Sequence, residues 1–338
     1  MDWIDAIILG VVQGLTEFLP VSSTAHVMLA GRLLFGAEAE PSWMTAFSAI
    51  IQLGTMAAVL IYFLKDIGRI VKAWFLSLIG KVPRSDPDAR MGWFVIVGTI
   101  PVAVIGLGLQ DVISSTFRNL WVTVAMLFGV GIVLWVADTH TARLEEYAFD
   151  DEYWEYDEGP TPPPVVEGPT SSRDFFDDDD PDQTTRIRPV VIEEPPPPSG
   201  LRQLNEMTWL HAIIFGLAQA AALIPGVSRS GATTSAGLFL GYDRPSAARY
   251  SFLLSVPAVW ASGLYEVYEL KDMGTEAMLW GPTLVATFFS FVVGYAVIAW
   301  LLRFVSTHTF RPFAVYRIVV AVAVAGMLLT GVLQAGGA

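Results

Sequence analysis

Apolar residues run along this chain in long charge-free blocks, broken by short polar stretches. The clearest block, 43–64, reads WMTAFSAIIQLGTMAAVLIYFL. Similar blocks cover 91–109, 120–137 and 277–302, and two weaker ones cover about 247–265 and 313–334, the last carrying Arg317. A helix of about 20 apolar residues crosses a bilayer core, so the pattern predicts six spans. Two further apolar runs, 4–19 and 208–224, are interrupted by Pro and Gly. They predict re-entrant hairpins, because backbone that breaks at membrane depth must be covered by protein or line a wet cavity. The run 6–15 follows Asp2 and Asp5 and lacks the basic start and cleavage site of a signal peptide, so it reads as part of the working chain.

Composition agrees. The chain is 53% hydrophobic and 16% charged, with mean hydropathy +0.51; a soluble domain is more polar. Cysteine is absent, which excludes a disulfide framework, a thiolate metal site and a cysteine nucleophile. The net charge of −13 is local: residues 145–200 hold 17 acidic and 3 basic side chains, leaving a net +1 for the rest. That segment also holds 11 of the 21 prolines and the run Asp177–Asp180. Such a stretch buries too little to offset chain entropy, and 141–205 is expected to be a disordered linker.

The linker separates two similar halves, 1–140 and 206–338. GVVQGLTEFLPVSST at 10–24 is echoed by GLAQAAALIPGVSRS at 216–230. At an offset of 206, Gly10 meets Gly216, Gln13 meets Gln219, Ser22 meets Ser228 and Thr24 meets Ser230. Each hairpin precedes three spans, and three is odd, so the second half enters the membrane from the opposite side. The expected fold is an all-α integral membrane protein with an inverted-topology repeat, each half one re-entrant hairpin plus three transmembrane helices. Lys65, Arg69, Lys72, Lys81, Arg84 and Arg90 place the loop after the first span inside, as do Arg244 and Arg249 before the fourth span and Arg303 and Arg311 near the sixth. Glu266, Glu269, Asp272 and Glu276 against Lys271 suit the outside. Both termini are then outside and the linker inside.

The hairpins carry the polar chemistry. Gln13 and Glu17 stand four apart, on one helical face. A carboxylate at membrane depth is costly and reads as functional; Glu17 suits proton transfer or a share in a divalent cation, although one carboxylate is a weak metal site unless phosphate oxygens complete it. Ser22 and Ser23 follow Pro20 and suit a helix N-cap, and such an N-terminus also favours phosphate. His26 lies three residues after Ser23, a spacing that places an imidazole beside a hydroxyl as in a nucleophile–base pair. In PGVSRSGATTS, Arg229 stands among Ser228, Ser230, Thr233 and Thr234. Its guanidinium needs an anion: a phosphate, or Glu17 in a structural salt bridge. GVSRSG is not a G-x-S-x-G elbow, and no Walker, GxGxxG or HExxH pattern occurs.

GLTEFLPVSSTAH and PGVSRSGATTS resemble the two signatures of the bacterial undecaprenyl-diphosphate phosphatase, or bacitracin-resistance, family. IQLG at 51–54, SFLLSVPAV at 251–259 and PFAVYR at 312–317 are similar to further stretches of it. The resemblance covers nearly the whole chain outside about 141–205. It implies a multi-pass enzyme of the cytoplasmic membrane, its site open to the outer face, that removes the terminal phosphate of a C55 isoprenyl diphosphate and so recycles the lipid carrier for peptidoglycan. It implies Glu17 as the catalytic acidic residue, Ser23 as nucleophile or positioning hydroxyl, His26 as its base or acid, and Arg229 on phosphate with Gln13, Ser22, Ser228, Ser230 and Thr233. Which of Ser23 and His26 attacks phosphorus stays open. It further implies a divalent cation, Mg2+ or Ca2+, with Glu17 as its protein ligand, no organic cofactor, and bacitracin as a competitor for the substrate. Gln13 stands where the family often has Glu, which weakens a two-carboxylate metal site. The long linker is also outside the family's usual core. The rival reading is a polyprenyl-phosphate flippase. The bilayer is a partner and nucleic acid is not; a homodimer and a cytoplasmic partner of the linker are compatible with the sequence.

Overall fold

The computed structural model describes residues 1–36, 43–108, 119–157, 201–269 and 279–335. Most of the linker, and Lys271, Asp272 and Glu276 of the acidic stretch expected outside, lie outside the described residues. The described residues are helical, with no strand among them beyond one isolated bridge between Arg202 and Tyr242. Eleven α-helices follow in order: α1 Trp3–Thr16, α2 Ser23–Phe35, α3 Trp43–Tyr62, α4 Leu64–Leu78, α5 Pro87–Gly108, α6 Leu120–Asp157, α7 Trp209–Ala221, α8 Arg229–Phe239, α9 Arg244–Glu269, α10 Trp280–Val305 and α11 Arg311–Leu329. One compact unit comprises Met1–Ala142 and Arg202–Ala338; Arg143–Leu201 forms another, in which α6 continues as helix to Asp157, inside the stretch expected to be linker.

Among the described residues, four helices are long and apolar enough to cross a membrane: α5, α6, α10 and α11. A fifth span is obtained when α3 and α4 count as one pair, bent by 75°. The stretch after the first span, expected to be a loop, is therefore helix α4. Large apolar side chains such as Leu107, Leu284, Phe288, Val322 and Leu329 are exposed, as lipid-facing positions require. The chain is a membrane protein on these grounds.

Local sequence explains the short helices. Asp2 and Asp5 form a reciprocal capping box at the start of α1, which satisfies two free amides. Thr208 caps α7 and Ser228 caps α8 through their hydroxyls. Gly36, with φ +100, ends α2 as a left-handed glycine does. Each of the two helix–break–helix units, α1–α2 and α7–α8, packs its first helix on a span of the other half. Helix α1 lies on α10, and α7 lies on α5.

Small residues make those contacts close. A Cβ on Gly10 would collide with the Ala286 carbonyl of α10, and one on Gly216 with the Gly98 carbonyl of α5. In lipid, helices are held by such packing rather than by a hydrophobic difference. Gly10→Val and Gly216→Val are each expected to destabilise the protein by about 1–3 kcal/mol, read as a lower unfolding temperature in detergent. An unchanged temperature in both would show that the two halves are not locked at these glycines.

A candidate active site at two broken helices

Helix α1 ends at Glu17, whose backbone N–H donates to the Gln13 carbonyl at 3.0 Å. The chain then turns through Phe18–Val21 and restarts at α2. The second unit breaks in the same way between α7 and α8. The N-cap residues of the restarting helices, Ser22 and Ser228, have φ +76 and +69, and they are the only non-glycine residues with positive φ among those described. A left-handed conformation costs an L-residue about 1–2 kcal/mol, and it persists only where the surroundings enforce it. Two such residues at the matched offset of 206 mark one turn used twice.

Arg317 enforces both turns. It is fully buried in α11, and among the described residues no carboxylate forms an ion pair with it. Its guanidinium donates to the Pro20 carbonyl (3.0 Å) in the first break and to the Gly226 (2.8 Å) and Val227 (3.0 Å) carbonyls in the second. It also donates to Met126 and Leu127 of α6 at 3.3 Å each. The Val227–Ser228 peptide is planar, so its N–H points away from Arg317 when its carbonyl points toward it. Arg317 thus fixes the direction of the amide that opens α8.

Glu17 sits where the two breaks meet, 5% exposed. Its Oε1 accepts from Arg229 Nη2 at 2.7 Å and from Gln52 Nε2 at 3.3 Å. Its Oε2 accepts from Gln13 Nε2 at 2.8 Å and from Ser23 Oγ at 2.7 Å. Four donors fill the carboxylate's acceptor positions. Ser23 and Arg229 are the first residues of α2 and α8, equivalent at the offset of 206, and they flank the carboxylate from its two oxygens. The salt bridge weighed as the alternative to phosphate binding is therefore present. Its geometry leaves the other N–H groups of Arg229 nearly free, since the nearest further acceptor is the Ser255 carbonyl at 3.5 Å.

His26 does not pair with Ser23. Its Nδ1 lies 2.7 Å from the Ser22 carbonyl, and its Nε2 lies 2.9 Å from the Tyr316 hydroxyl. A carbonyl only accepts, so Nδ1 carries the proton, and in the neutral imidazole Nε2 accepts from Tyr316. The rings of His26 and Tyr316 stack at 5.6 Å, with Tyr316 exposed. The second-half hydroxyls are engaged within the protein. Ser228 Oγ accepts from the Gly231 amide, Ser230 Oγ donates to the Leu19 carbonyl at 2.9 Å, and Thr233 Oγ1 donates back to the Arg229 carbonyl at 2.7 Å. Ser22 takes the N-cap position of α2, but its hydroxyl makes no capping bond.

The donor set does not fit a resident divalent cation. Glu17 is the lone carboxylate, both its oxygens are engaged, and one of them holds a guanidinium. Among the described residues, no three His, Cys, Asp or Glu side chains gather.

Sequence reasoning did not select Gln52, Tyr316 or Arg317. Gln52 lies in IQLG, and Tyr316 and Arg317 in PFAVYR, inside stretches that hydropathy marked as apolar blocks and the resemblance as family-like, without assigning these side chains a role.

Fold and site together define a polytopic helical membrane protein whose polar centre joins a hydroxyl, a carboxylate and a guanidinium from two broken helices. Residues 6–156 and 190–323 match the family model described as bacitracin resistance protein BacA, and the chain belongs to that family. Among its relatives are the undecaprenyl-diphosphatase of Micrococcus luteus, 46% identical over 337 residues that cover 99% of this chain and 100% of that protein, and undecaprenyl-diphosphatase 2 of Streptomyces coelicolor, 46% identical over 335 residues that cover 99% and 97%. A third, from Kineococcus radiotolerans and also called undecaprenyl-diphosphatase, is 45% identical over 335 residues.

Proposed function

We propose that this chain is an undecaprenyl-diphosphate phosphatase, which hydrolyses the terminal phosphate of the isoprenyl diphosphate and returns the monophosphate carrier. The observation that carries the reading is Ser23 Oγ donating to Glu17 Oε2 at 2.7 Å while Arg229 holds Oε1 at 2.7 Å. A hydroxyl with its proton aimed at a fixed carboxylate is an activated nucleophile. Ser23 Oγ attacks the terminal phosphorus, its proton passes to Glu17, and the bond to the bridging oxygen breaks so that the lipid monophosphate leaves. Water then cleaves the phosphoserine and releases phosphate. The spare N–H groups of Arg229 meet the charge that develops on the transferring group. Between Ser23 and His26, the serine is favoured as the attacking group, because both ring nitrogens of His26 are engaged elsewhere.

At rest His26 Nε2 accepts the one O–H of Tyr316; when substrate binds, that O–H turns from His26 to the phosphate that stays with the lipid. Tyr316→Phe removes one hydrogen bond of about 1 kcal/mol and is expected to raise KM about fivefold with kcat changed less than twofold. A pure fall in kcat would remove Tyr316 from substrate binding. No step uses a resident cation; a cation that enters arrives on the diphosphate.

The architecture we propose is the six-span inverted repeat, with α3 of the bent α3–α4 pair and α9 supplying the spans beyond the four long apolar helices. The matched breaks, the paired glycines Gly10 and Gly216 and the reciprocal packing of α1 and α7 support it. The protein then sits in the cytoplasmic membrane with both termini and the site mouth outside. The same architecture suits a flippase. Phosphate release from undecaprenyl diphosphate by the purified protein in detergent separates the two, since a flippase releases none.

A further inference from the structure

We infer that α4 lies in the headgroup layer at the basic end of the spans and binds anionic phospholipid along one edge. Three faces of the helix carry this. At 3.6 residues per turn, Leu64, Val71, Phe75 and Leu78 fall within an arc of about 60°. They are exposed by 65%, 54%, 57% and 48%. The opposite side packs on the protein. Ile70 and Ser77 are buried there, Trp74 meets Trp93 at 5.7 Å, and Arg69 pairs with Asp88 of α5 at 2.7 Å. Asp66 reaches Arg249 of α9 at 2.6 Å, so α4 is pinned at its start to two spans.

The third face borders the exposed apolar stripe. Lys65 and Lys72 lie on it, and Lys81 and Arg84 follow beyond the end of the helix. All four are exposed, and none has an ion pair among the described residues. The 75° bend between α3 and α4 turns the helix out of the direction of its span. A helix laid across a span's end, with a bare apolar stripe edged by unpaired cations, has the division of faces found in interfacial helices. The stripe enters the acyl boundary and the cations meet headgroups. An acidic protein partner would explain the cations and leave the apolar stripe in water.

The absence of cysteine makes the test clean. Single-cysteine variants at Phe75 and at Lys81, labelled with an environment-sensitive fluorophore, are placed in nanodiscs of phosphatidylcholine with or without phosphatidylglycerol. The label at 75 is expected to be quenched by brominated acyl chains and shielded from aqueous iodide, with the reverse at 81. In the same nanodiscs, the preference of spin-labelled phosphatidylglycerol over phosphatidylcholine for the protein is measured. The variant K65Q/K72Q/K81Q/R84Q is expected to lose at least about fivefold of that preference, the scale of one cation at a charged surface. Equal iodide access at 75 and 81 would overturn the placement of the helix, and an unchanged lipid preference in the quadruple variant would overturn the anionic site.

Discussion

Arg229→Ala is expected to lower kcat/KM for undecaprenyl diphosphate by about three orders of magnitude or more, with a properly folded protein remaining. Two losses combine. The transferring phosphoryl group loses its guanidinium, and removal of such a charge from a preorganised site typically costs 10²–10³ in rate. Glu17 loses its counter-ion while buried, which raises the energy of the ionised carboxylate that holds Ser23. Arg229→Lys keeps a charge but not the fork, since one ammonium is a poor substitute for a guanidinium that bridges carboxylate and phosphate; it is expected to recover less than a tenth of the activity. Glu17→Gln should match Arg229→Ala in severity, because Ser23 Oγ–H then faces a neutral amide that cannot serve as its base. Steady-state phosphate release checks all three, with unfolding temperature as the control. Retention of more than a tenth of wild-type kcat/KM in Arg229→Ala would remove Arg229 from the chemistry.

The second large effect falls on Arg317, which touches no substrate in this account. Arg317→Met is expected to destabilise the protein by at least about 3 kcal/mol, because it leaves several carbonyls without donors at a buried junction, each worth roughly 1–3 kcal/mol when unsatisfied. Both breaks should loosen together, since Pro20 belongs to one and Gly226 and Val227 to the other. A purely structural role would lower stability and leave the kcat of the folded fraction intact. The positioning role predicts more: Arg317→Lys, which restores the charge and part of the donor set, should recover stability before it recovers kcat. If stability falls and kcat per folded molecule stays within twofold, Arg317 supports the fold and does not position the site.

Much of this site was legible in the sequence because membrane depth makes polar residues expensive. Glu17 and Arg229 stood out as charges among apolar runs, and the echo at 206 residues paired their surroundings. That Ser23 and Arg229 occupy equivalent positions was implicit in the same register. The imidazole was less legible. Helical spacing puts His26 near Ser23, but its Nδ1 meets the Ser22 carbonyl instead, and no residue pattern announces a positive φ in that serine. Arg317 read as a blemish in an apolar span, since sequence does not say which carbonyls lie opposite a buried guanidinium. Helix α4 read as a basic loop because its apolar stripe is spaced for a helix lying flat and not for a span. The resemblance implied Ser228, Ser230 and Thr233 as phosphate ligands; sequence did not say that their hydroxyls also serve a cap, the Leu19 carbonyl and the Arg229 carbonyl.

In the proposed mechanism Ser23, aimed by Glu17, takes the terminal phosphoryl group. A single turnover of the purified protein with undecaprenyl diphosphate labelled in its terminal phosphate, quenched in acid and analysed by peptide mapping, tests it most directly. The expected result is an acid-stable phosphoserine at residue 23 that appears and decays as phosphate is released, and that is absent from Ser23→Ala along with the activity. Phosphate release that persists in Ser23→Ala, or label found on His26, would contradict it.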